Sequence, residues 1–173
     1  MQMKEHLYGK NDPLGVFLSF WRNTIVAKEV KGELVDLACG DNRLVRKYGK
    51  GRGVDIVEFE GADLVAPDFT NLPLPDESAD TVTIVASLNY FPDPTGVLRE
   101  AKRILRKNGR LLVTMSNLKV MKVWHKFRDR KVKVPGISED SLLDLLENSG
   151  YILKKKKPFM LFVNVLYVAE PIK

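Results

Sequence analysis

A chain of 173 residues, 45% hydrophobic and 29% charged with a net charge of +6, has the size of one compact domain and can bury a sizeable core without cross-links. That composition excludes a disordered chain, and the single cysteine, Cys39, excludes an internal disulfide and any multi-cysteine metal site. No secretory leader pattern opens the sequence and no apolar run reaches the ~20 residues of a membrane span, so a single cytoplasmic domain over 1–173 is expected.

Residues 13–30 follow Asp12, placed as an N-cap, and begin with Pro13 at the first helical position, which predicts a helix that Gly32 closes off. The run 33–38 predicts a first strand, followed by the small-residue turn CGDN, a short helix over 42–48 and a second strand over 52–57. A brief third strand over 62–66 precedes a Pro- and Asp-rich loop over 67–78. Residues 80–86 form a β-branched run typical of a buried parallel strand.

Helical spacing of Val97, Leu98, Ala101, Ile104 and Leu105 predicts a helix over 94–108 stopped by Asn108 and Gly109, then a buried strand over 110–115. Residues 117–136 are basic and irregular. Ser138 suits an N-cap for a helix that Gly150 ends, although Ser141 stands where a capping box would place Glu or Gln. Two strands, over 151–157 and 161–169, close the pattern. The alternation argues an α/β fold with a mostly parallel, doubly wound sheet and helices on both faces. Such sheets bind ligands beyond the carboxyl ends of their strands, so the loops after the first, second and fourth strands are where chemistry is expected.

The first of these loops is VDLACGDNRL. Its small residues at 38–40 let backbone approach a ligand, Gly40 and Asn42 tolerate unusual dihedrals, and the helix behind offers free N–H groups. A plain strand-to-helix turn would also read this way. Asp55, 19 residues after Asp36, is either a strand-end cap or a carboxylate able to accept hydrogen bonds from a ribose diol. A dinucleotide site is disfavoured because no G-x-G-x-x-G is present.

DLACGDN, GVDI, PDFTNLPLPDESADTVTIVASLNYFPDP, LREAKRILRKNGRLLVTM and SEDSLLDLLENSGY together resemble, in order and spacing, the class I S-adenosylmethionine-dependent methyltransferases, most closely their type 11 group. The resemblance runs from about residue 33 to 169 and implies a Rossmann-like, seven-stranded sheet with S-adenosyl-L-methionine as cofactor and no metal. It implies that Asp36 holds the methionine amino group and that Ala38, Cys39 and Gly40 bring backbone against the methionine moiety. Asp55 would bind the ribose hydroxyls, Ile56 would pack on the adenine, and Asp68, with the Phe69 backbone, would accept from the adenine amino group. Ala86 and Ser87 would flank the cofactor. Ala38 and Asn42 depart from the glycines of the pattern.

The N-terminal segment 1–32 is expected to cover the cofactor, with Tyr8, Trp21 and Arg22 as candidates and Arg22 as partner for the cofactor carboxylate. Trp21 reads equally as helix packing. Methyl transfer from a sulfonium needs chiefly positioning, so the lack of a triad is no obstacle. The acceptor is expected beside Asn89 and Tyr90, where the family often carries histidine; the two residues also suit a simple packed turn. Residues 117–137 form the short substrate-side loop. There Trp124 and Phe127 lie among Lys126, Arg128, Arg130, Lys131 and Lys133, and His125 is a candidate base; a solvated basic loop is the plainer reading.

Residues 1–86 carry 10 basic and 14 acidic groups, whereas 87–173 carry 18 and 8. A small-molecule acceptor is the leading expectation. The second is an RNA- or protein-directed methyltransferase that uses the basic half, and the third a non-catalytic cofactor-binding or scaffold protein. The expected partners are thus the cofactor and an unnamed acceptor, with nucleic acid in second place.

Overall fold

The computed structural model of the protein describes residues 13–58, 61–117 and 136–172. In chain order these form α1 (Pro13–Ala27), β1 (Leu34–Leu37), α2 (Arg43–Tyr48), β2 (Arg52–Asp55), β3 (Leu64–Val65), β4 (Ala79–Val85), a 3-10 turn (Leu88–Tyr90), α3 (Pro94–Ile104), β5 (Leu105–Ser116), α4 (Glu139–Asn148), β6 (Tyr151–Phe159) and β7 (Asn164–Pro171). The seven strands make one sheet in the order β3-β2-β1-β4-β5-β7-β6. The pairs from β3 to β5 are parallel, and β7 runs antiparallel to both of its neighbours. This is the expected doubly wound α/β sheet. Its order reverses between β1 and β4, which places a crevice beyond the carboxyl ends of those two strands.

Side chains alternate between two faces along each strand, and each face carries its own apolar cluster. Val35, Leu37, Val82, Ile84, Leu111 and Val113 pack with α3 and α4 residues such as Leu98 and Leu142. Leu34, Leu112, Leu166 and Val168 pack on the other face with Val26 of α1 and Leu44 of α2. α1 therefore lies on the second face, tied at its C-terminal end to the start of β4: Lys31 N–H donates to Thr81 Oγ1 and Glu33 N–H to Asp80 Oδ2. Its other end points toward the carboxyl edge of the sheet. Gly32, at φ +58°, makes the turn, and a Cβ there would lie 2.1 Å from the Asp80 carboxylate.

Most expected elements are present, including the cap on α4, where Ser138 accepts from Ser141 N–H at 3.1 Å. The Asp12 cap lies outside the described residues. Two boundaries are corrected. The last strand, expected over 161–169, runs over Asn164–Pro171, because left-handed backbone at Met160, Leu161 and Phe162 turns the chain into a hairpin there. The helix expected over 94–108 ends at Ile104, and Asn108 and Gly109 belong to β5 rather than stopping a helix. Its termination is tertiary: Glu77 N–H satisfies the Arg103 carbonyl, and Leu105, already extended, pairs with Ala79.

The basic run Lys154–Lys157 lies on edge strand β6. Lys155 and Lys157 pair with Glu29, Lys156 with Glu139 and Lys154 with Glu170. These exposed pairs contribute little stability. They do keep an edge strand charged and so resistant to pairing with other chains.

Candidate active site

The carboxyl ends of β1 and β2 gather the acidic residues singled out in the sequence. Asp36 is buried, two residues beyond Leu34, and so on the α1-covered face. Its register partner on β4 is Thr83, whose Oγ1 donates to Asp36 Oδ1 at 2.5 Å. Burial pushes the Asp36 carboxyl up to about 7; the Thr83 hydrogen bond and the Arg22 charge pull the other way, and the Asp55 charge adds to the rise. Arg22, half-buried on α1, thus acts on Asp36 from above.

In the loop after β1, Ala38, Gly40 and Asn42 all adopt left-handed backbone, at φ +57°, +57° and +58°. The alternation turns successive N–H groups in different directions. Cys39 N–H reaches Val54 O at 3.1 Å, and Gly40 N–H reaches Asp55 Oδ2 at 2.8 Å. Asp55, also buried, accepts Ile56 N–H on its other oxygen at 2.8 Å. Its carboxylate therefore fixes the loop after β1 to the end of β2, and each oxygen keeps a further lone pair. Burial raises the Cys39 thiol far above its ordinary range, and the charges of Asp36, Asp55 and Asp63 add to the rise. The thiol stays neutral, so Cys39 serves the loop through its backbone.

Asn42, the departure from glycine, bridges this loop to the next. Its Nδ2 donates to Gly61 O at 2.6 Å and to Asp63 Oδ2 at 2.8 Å, and Asp63 Oδ2 also accepts Gly53 N–H at 2.7 Å. Gly53 has to be glycine here, since a Cβ would sit 2.1 Å from Asn42 Oδ1 and 2.7 Å from Cys39 Sγ.

Ile56 is exposed beside Asp55. Asp68, after β3, is exposed. Its Oδ1 accepts from Thr70 Oγ1 at 2.7 Å and Thr70 N–H at 2.8 Å, bonds that hold its carboxyl below the usual carboxylate range. Phe69 turns its ring inward onto Phe91, 5.0 Å between centroids. After β4, Ala86 takes φ +57° with its N–H on Thr114 O. Ser87 Oγ is buried with no hydrogen-bond partner among the described residues. Asn89 is half-buried and Tyr90 exposed in the 3-10 turn. The structure thus groups Asp36, Ala38–Gly40, Asp55, Ile56 and Arg22 about β1 and β2, and Ala86–Tyr90 about β4. Tyr8, His125 and the basic segment with Trp124 and Phe127 lie outside the described residues.

Sequence reading missed Thr83, the buried donor to Asp36. The signal was present: in DTVTIVA the threonines alternate with Val82 and Ile84, which places Thr81 and Thr83 on one face. It also missed Thr114, buried on β5 with Oγ1 lacking a partner among the described residues.

Residues 33–113 match a family model described as a methyltransferase domain. A demethylmenaquinone methyltransferase of Thermotoga maritima is 29% identical over 136 residues, or 65% of this chain. The chain spans 59% of that relative's length, less than two thirds. A solved S-adenosylmethionine-dependent methyltransferase from Thermotoga maritima, described as a possible histamine N-methyltransferase, superposes with a TM-score of 0.71 at 21% identity over 86% of each chain. A Pyrococcus horikoshii OT3 protein does so with a TM-score of 0.79 at 17% identity over 99% of each. At these identities the two structures speak to the fold.

Proposed function

We propose that the chain is a class I S-adenosylmethionine-dependent methyltransferase of the type 11 group and that it transfers a methyl group to a small-molecule acceptor by in-line displacement, a reading supported by the methyltransferase-domain match over 33–113 and the methyltransferase relatives. The observation that carries the reading is the pair of buried carboxylates, Asp36 and Asp55, held at neighbouring strand ends around a loop of left-handed backbone. A buried carboxyl raised to about 7 lacks full compensation, and a cationic amino group beside it would supply that, so Asp36 suits the methionine ammonium. Asp55 has lone pairs left for two ribose hydroxyls, and exposed Ile56 offers apolar surface for a purine.

When bound, the cofactor supplies an activated methyl on a sulfonium. The chain's own part is to orient: Thr83 fixes the Asp36 carboxylate, Asp55 fixes the loop, and Ala38, Cys39 and Gly40 let backbone approach. Arg22 and α1 would cover the methionine end, Asp68 and Phe69 would meet the adenine, Ala86 and Ser87 would flank the cofactor, and Asn89 and Tyr90 would face the acceptor. The small-molecule acceptor is supported by the demethylmenaquinone methyltransferase relative and by the three carboxylates, Glu29, Glu139 and Glu170, that offset most of the charge of Lys154–Lys157. Among the described residues no helix is long and apolar enough to cross a membrane, and the cytoplasm is the proposed location.

The test is calorimetric titration with S-adenosylmethionine and S-adenosylhomocysteine of the wild type and of Asp55→Ala. The expected result is micromolar binding, roughly −8 kcal/mol, lost in the variant. Absence of wild-type binding to both ligands would overturn the reading.

A further inference from the structure

α1 is apolar nearly all round. Its sequence, PLGVFLSFWRNTIVA, holds one charged residue, Arg22. A helix of that kind is ordinarily buried on every side, yet this one lies on the outside of the sheet. Its inner side is accounted for: Leu18, Ile25 and Val26 pack with Leu34, Leu44 and Leu166. Its outer side carries large apolar groups in water. At 3.6 residues per turn, Val16, Phe17, Phe20 and Trp21 fall on the side away from Val26, and they are 47%, 57%, 58% and 42% exposed.

The border of this stripe has one sign of charge. Lys47 of α2 holds its ammonium 4.3 Å from the centre of the Phe20 ring. Phe20 and Asn23 of α1 and Arg43, Arg46 and Lys47 of α2 line a cleft of about 350 Å³ between the two helices. Lys28, exposed, follows the end of α1. Against these cations stands Asp41, whose carboxylate pairs with Arg43 at 2.5 Å and whose carbonyl accepts from Arg46. Residues 13–28 contain no Asp or Glu, and neither does α2. The longer segments outside the described residues leave the sign unchanged: 1–12 carry two basic and two acidic residues, and 118–135 carry seven and one.

We infer that the outer side of α1 is a docking surface for an anionic lipid bilayer. Val16, Phe17, Phe20 and Trp21 enter the boundary between headgroups and acyl chains, and Lys28, Arg46 and Lys47 meet the headgroup phosphates. Bulky apolar side chains on one side of a surface helix, with cations at the margin, are what such a boundary selects. The sheet holds the inner side of α1, so the helix lies on the bilayer and does not cross it. Two other occupants lack what they need. A nucleic acid stacks its bases on open ring faces, but Lys47 covers Phe20, and Phe17 and Trp21 are turned on each other, 6.1 Å between centroids and tilted by 54°. A second copy of the chain, meeting the first through the same patch, would set like cations against each other along the seam. The inference is independent of the methyltransferase reading, since neither the patch nor its test involves the cofactor.

The test is flotation of the full chain with vesicles of phosphatidylcholine alone and of equal parts phosphatidylcholine and phosphatidylglycerol. The mixed vesicles are expected to hold the protein at least about tenfold more tightly, and less so as salt rises. Phe17→Ser/Phe20→Ser should weaken that binding about tenfold through lost apolar contact. Lys28→Glu/Lys47→Glu should weaken it at least about tenfold through charge. In Trp124→Phe, which leaves Trp21 as the one tryptophan, brominated acyl chains in the mixed vesicles should quench the remaining fluorescence. The charge variant and the quenching decide the matter even if the apolar variant fails to fold. No binding to either vesicle, equal binding to both, absence of quenching, or indifference to the charge variant would each overturn the inference. So would release from the vesicles by millimolar glycerol phosphate, tighter binding of an oligouridylate than of the mixed vesicles, or self-association in sedimentation equilibrium that Phe17→Ser/Phe20→Ser abolishes.

Discussion

Thr83 and Asp36 face each other across the β1–β4 register, and the threonine hydroxyl gives the buried carboxylate its direct hydrogen bond from β4. An ordinary aspartate titrates near 3.8, whereas Asp36 in the fold titrates at about 7. Between those values the folded protein holds a proton that the unfolded chain has released, so this residue makes stability fall as pH rises through the window and level off above it. Asp36→Asn should flatten that part of the stability–pH curve and be more stable than wild type above about pH 7, as measured by urea unfolding at a series of pH values. In the proposed site the ionised form receives the cofactor ammonium, so S-adenosylhomocysteine affinity should rise as pH increases through about 7, and more so in wild type than in Asp36→Asn.

The contact between Gly53 and Asn42 predicts a coupled pair. Gly53→Ala should destabilise the domain by about 1–3 kcal/mol, because its Cβ meets a carboxamide held by two other bonds. Asn42→Gly frees the space and suits φ +58°, at the cost of the bridge to Gly61 and Asp63. Chemical denaturation of the two single variants and the double should give a non-additive cycle in which Asn42→Gly recovers part of the Gly53→Ala loss.

Ala38 pays for its left-handed backbone. Ala38→Gly should stabilise by up to about 1 kcal/mol, the relief of the Cβ clash less the added freedom of glycine in the unfolded chain. A thermal midpoint lower than wild type would show that the alanine methyl makes packing contacts worth more than the strain.

Glu100 anchors the loop before β4. Its Oε1 accepts Leu72 N–H at 2.6 Å and Arg103 Nη2 at 2.6 Å, and the Arg103 hydrogen bond chiefly lowers its carboxyl below the ordinary range, with Leu72 N–H helping. The stabilisation is present above the ordinary glutamate range and lost as pH falls through the lowered value. Glu100→Ala should cost about 1–3 kcal/mol at neutral pH, and the difference from wild type should shrink in acid. Guanidinium unfolding at neutral and acidic pH measures both.

How far the fold was legible follows from which signals are local. β1, β4 and the main strands were readable because apolar runs and Gly or Asp punctuation lie within a few residues of each other. The end of α3 was not, because the groups that end it, Glu77 and Ala79, lie more than twenty residues upstream while the local Asn108–Gly109 signal is overridden by pairing. Asp36 and Asp55 were legible as strand-end carboxylates. The role of Asn42 was not, since Gly61 and Asp63 are loop residues that no periodicity connects to it. Thr114 and Asn164 sit within runs that read simply as buried strand, and only the register across β5 and β7 sets them side by side with the hairpin tip.

The strand order has a consequence for synthesis on the ribosome. β7 lies between β5 and β6, so the later strand is inserted between two made before it. Until residues 164–171 emerge, β5 presents a bare row of backbone donors and acceptors, and β6 has nothing to pair with. A nascent chain paused in this interval exposes a long apolar strand edge, and holding that interval short, or guarding it with a chaperone, is the demand this topology places on the cell.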